Sequence, residues 1–294
     1  MSEQQATSVP VADEALPMIE AMETEGSDED DDVHHYLTLL LNDKLFLAPI
    51  QEDAEGLTVL DVGTGTGIWC IDFGYEHPQA EVVGTDLSPI QPAWVPTNVR
   101  FEIEDAALDW TFRDNTFDFI HMRYLIGGID DWGALFKQAY RCCKAGGWVE
   151  SFEVGPIFHS DDGSIDKNPV IAVWNRMFTE AGVKIGKSFS IPTEDLQRPS
   201  MEEGGFTDCK VVDLKIPMGG WARDPRLAEI GRTSLAALET DLEGFTLLLW
   251  HNVVQWPQDE YKPFLDALRK TLRDKKTHAY LKARLVYGQK PEAA

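Results

Sequence analysis

Three glycines on alternate positions, Gly63, Gly65 and Gly67, stand in the run Val59-Leu-Asp-Val-Gly-Thr-Gly-Thr-Gly-Ile-Trp69. Glycine lets the backbone turn sharply and approach a ligand closely, because no Cβ stands in the way. A dinucleotide fingerprint needs G-x-G-x-x-G, and counted from Gly63 its last glycine would fall on Ile68. The loop is instead G-x-G-x-G behind an acidic residue, Asp61, and its amides and small side chains can cradle an amino-acid moiety and its ribose. In an open α/β sheet ligands bind at the carboxyl ends of the strands, so the residues just past each strand are the next to consider. Asp86 ends the second strand, where a carboxylate can accept from both hydroxyls of a ribose. Asp105 follows the third and could accept from an adenine amino group. The fourth strand runs into His121-Met-Arg-Tyr124.

Each of these residues also has a plainer role. The glycines could make a tight strand-to-helix connection, Asp86 could cap a helix, Asp105 could form a turn, and His121 could be a satisfied core histidine. It is the order that points to a nucleoside site, because independent turn chemistry would not set an acid after both the second and the third strand. His121, His159 and His251 are the side chains able to act as a base near neutral pH. Spacing alone places none of them, and His251 lies between Trp250 and Trp256 on an apolar helix, which favours packing. No metal site is expected: Glu153 or Asp161 alone does not make one, and Cys70, Cys142, Cys143 and Cys209 lack C-x-x-C spacing.

The elements that must position these residues alternate. Thr58 to Val62, Glu81 to Asp86, Val99 to Ile103, Phe117 to His121 and Trp148 to Val154 read as strands. Ile68 to Tyr75 reads as a helix stopped by Pro78. Asp131 to Lys144 is amphipathic through its apolar residues at 132, 135, 136, 139 and 140, and closes on Gly146-Gly147. Repeated βα units predict a parallel sheet covered on both faces. Asn168-Pro169 opens a helix to about Ala181, with Gly182 as its stop. Cys209 to Ile216 and Tyr280 to Gly288 read as two late strands. Between them Asp224 to Asp274 supplies two or three helices, an inserted cap of the kind that builds a substrate pocket. Trp174, Phe178, Trp221, Phe245, Trp250 and Trp256 are its candidate lining, although most would be core. The predicted organisation is a disordered acidic tail over 1–32, a cofactor-binding Rossmann-like half over 33–154, and over 155–294 the remaining strands with the helical cap in the same domain. A short helix is expected from Val33 to Leu47.

The chain has 294 residues and a net charge of −24, and residues 1–33 hold eleven Asp or Glu with no Lys or Arg. So acidic a chain argues against a nucleic-acid partner, since phosphates are held by clustered Lys and Arg. The acidic tail could serve as a docking arm for a basic protein partner, or simply be solvated. The longest apolar runs are too short to span a bilayer. No secretory or mitochondrial signal is visible and the cysteines read as reduced thiols, so a cytoplasmic location is expected, with the nucleus as the alternative.

The glycine loop resembles the first motif of the class I S-adenosylmethionine (SAM) methyltransferases. The likeness becomes more specific with Gly84-Thr-Asp-Leu-Ser-Pro-Ile-Gln-Pro92, Trp94-Val-Pro96, Phe117-Asp-Phe-Ile-His-Met-Arg-Tyr124, Ala139-Tyr-Arg-Cys142, Gly146-Gly-Trp-Val-Glu150 and Trp221-Ala-Arg-Asp-Pro225. Together these resemble the fungal LaeA-type, or TAM-domain, methyltransferases over about Leu45 to Pro291. The resemblance implies a Rossmann-like, seven-stranded class I sheet with the helical cap inserted late in the chain, SAM as cofactor and a fungal source. Carried over by position, it implies that Gly63, Gly65, Asp86, Asp105 and Arg123 line the cofactor site, and their neighbours Asp61, Thr64, Gly67, Leu87 and Ala106 complete the expected set. One departure stands out. Many relatives carry a Glu-Asn-Gly-Arg-Arg-Tyr-His type of segment that closes over the cofactor, and nothing similar precedes His34-His35 here. The expected function is methylation of a small fungal secondary metabolite. A LaeA-type regulatory subunit acting through protein partners is the alternative, and a non-catalytic SAM-fold binding module a second one.

Overall fold

In the computed structural model, residues 27–51 and 55–292 are described. Among them seven strands form one sheet: β1 (Thr58–Val62), β2 (Glu81–Asp86), β3 (Val99–Ile103), β4 (Phe117–Arg123), β5 (Cys143–His159), β6 (Thr207–Pro217) and β7 (Tyr280–Gln289). Their order is β3-β2-β1-β4-β5-β7-β6. Neighbours from β3 to β5 pair in parallel, whereas β7 runs antiparallel to both β5 and β6. This is the expected Rossmann-like architecture. The strand order reverses at β1 and β4, so the crevice for a ligand opens past the carboxyl ends of these two strands.

The helices are α1 (Ser27–Leu40), α2 (Ile68–Glu76), α3 (Trp132–Cys142), α4 (Pro169–Ile185), α5 (Ile191–Glu194), α6 (Gln197–Gly204), α7 (Pro225–Thr240), α8 (Leu242–Leu248) and α9 (Gln258–Arg273), with a π-helical turn at Leu249–Val253. One apolar cluster fills the space between α2 and the β1–β2 face, around Val59, Phe73 and Val82. A second lies on the opposite face, where Leu135 and Phe136 of α3 meet Leu60 and Ile120. The third joins α1, α4 and the α7–α9 cap to the outer part of the sheet. In this third cluster the aromatic residues expected to line a pocket serve mainly as packing. Trp174, Phe178 and Trp250 are nearly inaccessible. Trp256 packs edge-on against Trp250, and Trp221 stacks on His278.

Several boundaries differ from those the sequence predicts. Of the expected disordered tail over 1–32, residues 1–26 lie outside the described residues, but α1 already begins at Ser27. An acidic run at the amino end of a helix is favoured by the helix dipole. The same helix stops at Leu40, short of Leu47, because Asn42 and Asp43 turn left-handed (φ 60° and 62°) and the Asp43 amide donates back to Thr38 O. Gly182 does not end α4. The helix continues to Ile185 and closes on Gly186 (φ 73°), while a Cβ at Gly182 would stand 2.7 Å from Lys187 O. Gly146-Gly147 lies inside β5, not at the end of α3, and a Cβ on Gly147 would approach Asp118 O within 2.8 Å. Gly147 therefore permits close backbone packing where β5 joins β4, whereas Gly146 takes positive φ (77°) and faces the Glu292 side chain. Helices α5 and α6 were not legible as helices, since both are short and each carries a proline, Pro192 and Pro199.

Candidate functional site

β1 delivers the glycine loop to the crevice. Gly63, Gly65 and Gly67 all take positive φ (66°, 57° and 82°), a region that side chains disfavour. At Gly63 a Cβ would also collide with Leu125 Cδ2 at 2.3 Å, and at Gly67 with the Phe101 ring at 2.3 Å. The loop is held by backbone bonds, Gly67 N donating to Thr64 O within it and Thr64 N to Thr85 O of β2, each at 2.9 Å.

Beneath the loop lies a buried polar core. Asp61 is 3% exposed. Its Oδ2 accepts from Thr64 Oγ1 at 2.6 Å and its Oδ1 from His121 Nδ1 at 2.7 Å. The His121 ring is stacked on Trp69 with centroids 3.9 Å apart and planes 2° from parallel. Burial lowers the pKa of His121 despite the neighbouring carboxylate, so the neutral imidazole donates through Nδ1. Asp61 and Thr64 were expected to line the cofactor site. Their polar groups are turned into the protein, where they hold the loop in shape. His121 is likewise enclosed, at 1% exposure, and positions Asp61 rather than facing an acceptor.

From β2, Asp86 enters the same crevice. Its Oδ2 accepts from Gly65 N at 2.7 Å and its Oδ1 from Ser88 N at 3.0 Å. Partial burial raises its pKa, opposed by these backbone donors. Gln91, which the sequence reading passed over, donates through Nε2 to Gly65 O at 2.7 Å and Ser88 O at 2.9 Å. It clips the segment after β2 to the glycine loop. Leu87 is 49% exposed and offers an apolar face beside Asp86. Past β3, Asp105 Oδ1 accepts from Ala107 N at 2.8 Å, and Ala106 O accepts from Trp110 Nε1. The turn-forming role of Asp105 is thus real. The Val62–Met122 pairing brings Arg123, the last residue of β4, to the edge of the sheet at which β1 ends.

A nucleoside carrying an amino-acid tail fits this arrangement on three counts. The Gly65 backbone, which carries no side chain, lies directly against the Asp86 carboxylate. The two Asp86 oxygens offer about four lone-pair sites against backbone donors from Gly65, Ser88 and Leu87. The Thr66 hydroxyl, inside the loop, is buried with no hydrogen-bond partner among the described residues.

The other histidine candidates lie elsewhere. His159 pairs with Tyr280 on the extension of β5 and stacks on its ring. His251 sits in the π-helical turn against Tyr261, its Nδ1 buried without a partner. Two further acids are fully buried: Glu150 accepts from Leu47 N and Ala48 N at 2.8 and 2.7 Å, and Glu153 from Leu125 N at 3.1 Å. Burial pushes both up to about 8. Among the described residues no group of three or more His, Cys, Asp or Glu could hold a metal ion, and no helix is long and apolar enough to cross a membrane.

A sheet of this order with a glycine loop after β1 and an acid after β2 has the architecture of the class I methyltransferases. The chain belongs to the methyltransferase-domain family, whose model matches residues 33–186. It is 38% identical over 262 residues to methyltransferase pytC of Aspergillus terreus, covering 89% of this chain and 79% of that one. It is 29% identical to the secondary metabolism regulator LAE1 of Cochliobolus heterostrophus, covering 90% and 87%. Among solved structures, phosphoethanolamine N-methyltransferase 2 of Haemonchus contortus, in complex with S-adenosyl-L-methionine, shares the fold with a TM-score of 0.50 at 21% identity, over 88% of this chain and 52% of that one. The LaeA-type resemblance read from the sequence is borne out by these relatives.

Proposed function

We propose that the chain is a SAM-dependent methyltransferase acting on a small fungal secondary metabolite. The bond from Gly65 N to Asp86 Oδ2 carries this reading, because it presents the loop amides and a ribose acceptor together at the point where the strand order reverses. Gly63, Gly65 and Gly67 leave room for the amino-acid moiety and ribose, and Asp86 accepts from the ribose hydroxyls. Leu87, Asp105 and Ala106 meet the adenine, and Arg123 meets the carboxylate of the amino-acid moiety.

When bound, the sulfonium supplies an electrophilic methyl for in-line displacement and departs without protonation. The chain's own contribution is alignment and exclusion of water, which can account for much of the rate. Asp61, His121 and Gln91 keep the loop in one conformation, so little reorganisation is needed when the acceptor arrives. The displacement itself does not oblige a base, although a hydroxyl or thiol acceptor would be helped by one with a pKa near neutrality.

The fungal relatives support a secondary metabolite as the acceptor. The regulator among them supports the second reading, a regulatory methyltransferase subunit in which the acidic amino-terminal arm engages a protein partner, in the nucleus as well as the cytoplasm. A small-molecule acceptor, with no nucleic acid, suits the acidic charge of the chain. Incubation with SAM and fungal metabolite extracts, followed by mass spectrometry, tests the enzyme. A product heavier by one methylene is expected. Firm SAM binding with no product across extracts would contradict the metabolite reading and favour the regulator.

A further inference from the structure

Helix α1 reaches the candidate site through His34, which is 6% exposed. Its Nε2 lies 3.0 Å from Asp72 Oδ2 on α2, and its Nδ1 lies 3.2 Å from a terminal guanidinium nitrogen of Arg123 at the end of β4. These partners fix the tautomer. A guanidinium can only donate, so Nδ1 is the acceptor, the proton sits on Nε2, and Nε2 donates to the Asp72 carboxylate. Thr38, one turn along α1, approaches the same nitrogen at 3.5 Å. The imidazole thus bridges a cation and an anion from two different elements.

The chain around Arg123 is held tightly. Tyr124, the next residue, is left-handed at φ 62°, a conformation that a tyrosine adopts only when its surroundings impose it. Glu153 Oε1 braces that turn by accepting from Leu125 N at 3.1 Å. A second contact comes from α1, whose Tyr36 hydroxyl lies 3.5 Å from that of Tyr124. The carboxyl end of α1 is pinned independently, where Arg226 donates to Leu39 O at 2.7 Å and to Asp43 Oδ1 at 2.9 Å.

We propose that His34 is a positioning residue, orienting the Arg123 guanidinium toward the carboxylate of the cofactor's amino-acid moiety and thereby joining α1 to the cofactor site. The proposal rests on the reading above, in which Arg123 lines that site. An arginine side chain has many rotamers, and a fixed acceptor at one of its nitrogens selects among them before the ligand arrives.

A double-mutant cycle on the full chain tests this, with SAM affinity read by isothermal titration and the KM for SAM and kcat read separately. His34→Gln retains one donor and one acceptor and should stay near wild type. His34→Leu retains the apolar bulk and neither polar atom, and should weaken SAM binding about ten- to a hundredfold, raising KM with little change in kcat. In an Arg123→Leu background the same His34→Leu change should have almost no effect, because the group it positions is gone. A ligand-free melting curve shows whether each variant is folded, and if His34→Leu is not, His34→Asn, too short to span both partners, takes its place. Wild-type SAM affinity in His34→Leu, or effects of His34→Leu and Arg123→Leu that simply add, would overturn the proposal alone. Absence of SAM binding by the wild-type chain would overturn the cofactor reading and this proposal with it.

Discussion

The Gly65 amide donates to Asp86 Oδ2 at 2.7 Å, so the loop after β1 and the acid after β2 form one unit before any ligand is present. A substitution at Asp86 therefore acts twice, removing the ribose acceptor and releasing the loop amide. The bond also explains why the loop needs support from both sides, with Asp61 below it and Gln91 above.

Gly63→Ala should be destabilising and should weaken SAM binding. The positive φ costs a non-glycine residue about 1 kcal/mol or more, and the new Cβ would meet Leu125 Cδ2 at 2.3 Å. Adding Leu125→Ala should remove the collision and leave the backbone strain, giving partial recovery in a melting experiment. Full recovery would show that φ at Gly63 is not a constraint.

Gln91→Leu should lower SAM affinity about three- to tenfold, the worth of a typical net hydrogen bond, with little loss of melting temperature. Gln91 bonds only to Gly65 O and Ser88 O among its described side-chain partners. Equal titration curves for variant and wild type would mean that the clip does not hold the loop in its binding conformation.

Glu150 carries a pH signature. Burial raises its carboxyl from the ordinary 4.5 to about 8, against the lowering effect of the Leu47 and Ala48 amides. Between those two values the folded state holds a proton that the unfolded state has released, so the contribution of Glu150 to stability declines as pH rises through that window. Glu150→Gln keeps an oxygen for both amides and removes the ionisation. The variant should be more stable than wild type at pH 8 by roughly 1 to 3 kcal/mol, with the difference shrinking toward pH 5. Glu153 shifts in the same direction, so one substitution flattens only part of the profile. Parallel melting curves for variant and wild type across this range would rule out a buried, protonated Glu150.

The first four strands were legible because each is a short β-branched or aromatic run bounded by glycine, proline or acid, and the chemistry of this fold gathers at strand ends. Asp86 and Gly65 could therefore be named from order, whereas Arg123 was named only through the family resemblance. What sequence reading missed depends on contacts distant in the chain. His34 lies 38 residues from Asp72 and 89 from Arg123, and no periodicity links them. Gly182 and Gly147 read as stop signals, yet they serve close approach by a backbone carbonyl from outside their own element. Asp61 and Thr64 belong to the glycine motif and were expected at the ligand, but only the geometry shows that their polar groups point inward.

Isothermal titration of the full chain with SAM, beside its Asp86→Ala variant, tests the central claim most directly. A single saturable site is expected in the wild type, weakened in the variant by about 1 to 3 kcal/mol through loss of the ribose acceptor and the loop bond. No SAM binding by the wild type, or the same affinity in both proteins, would contradict a cofactor site built on Gly65 and Asp86.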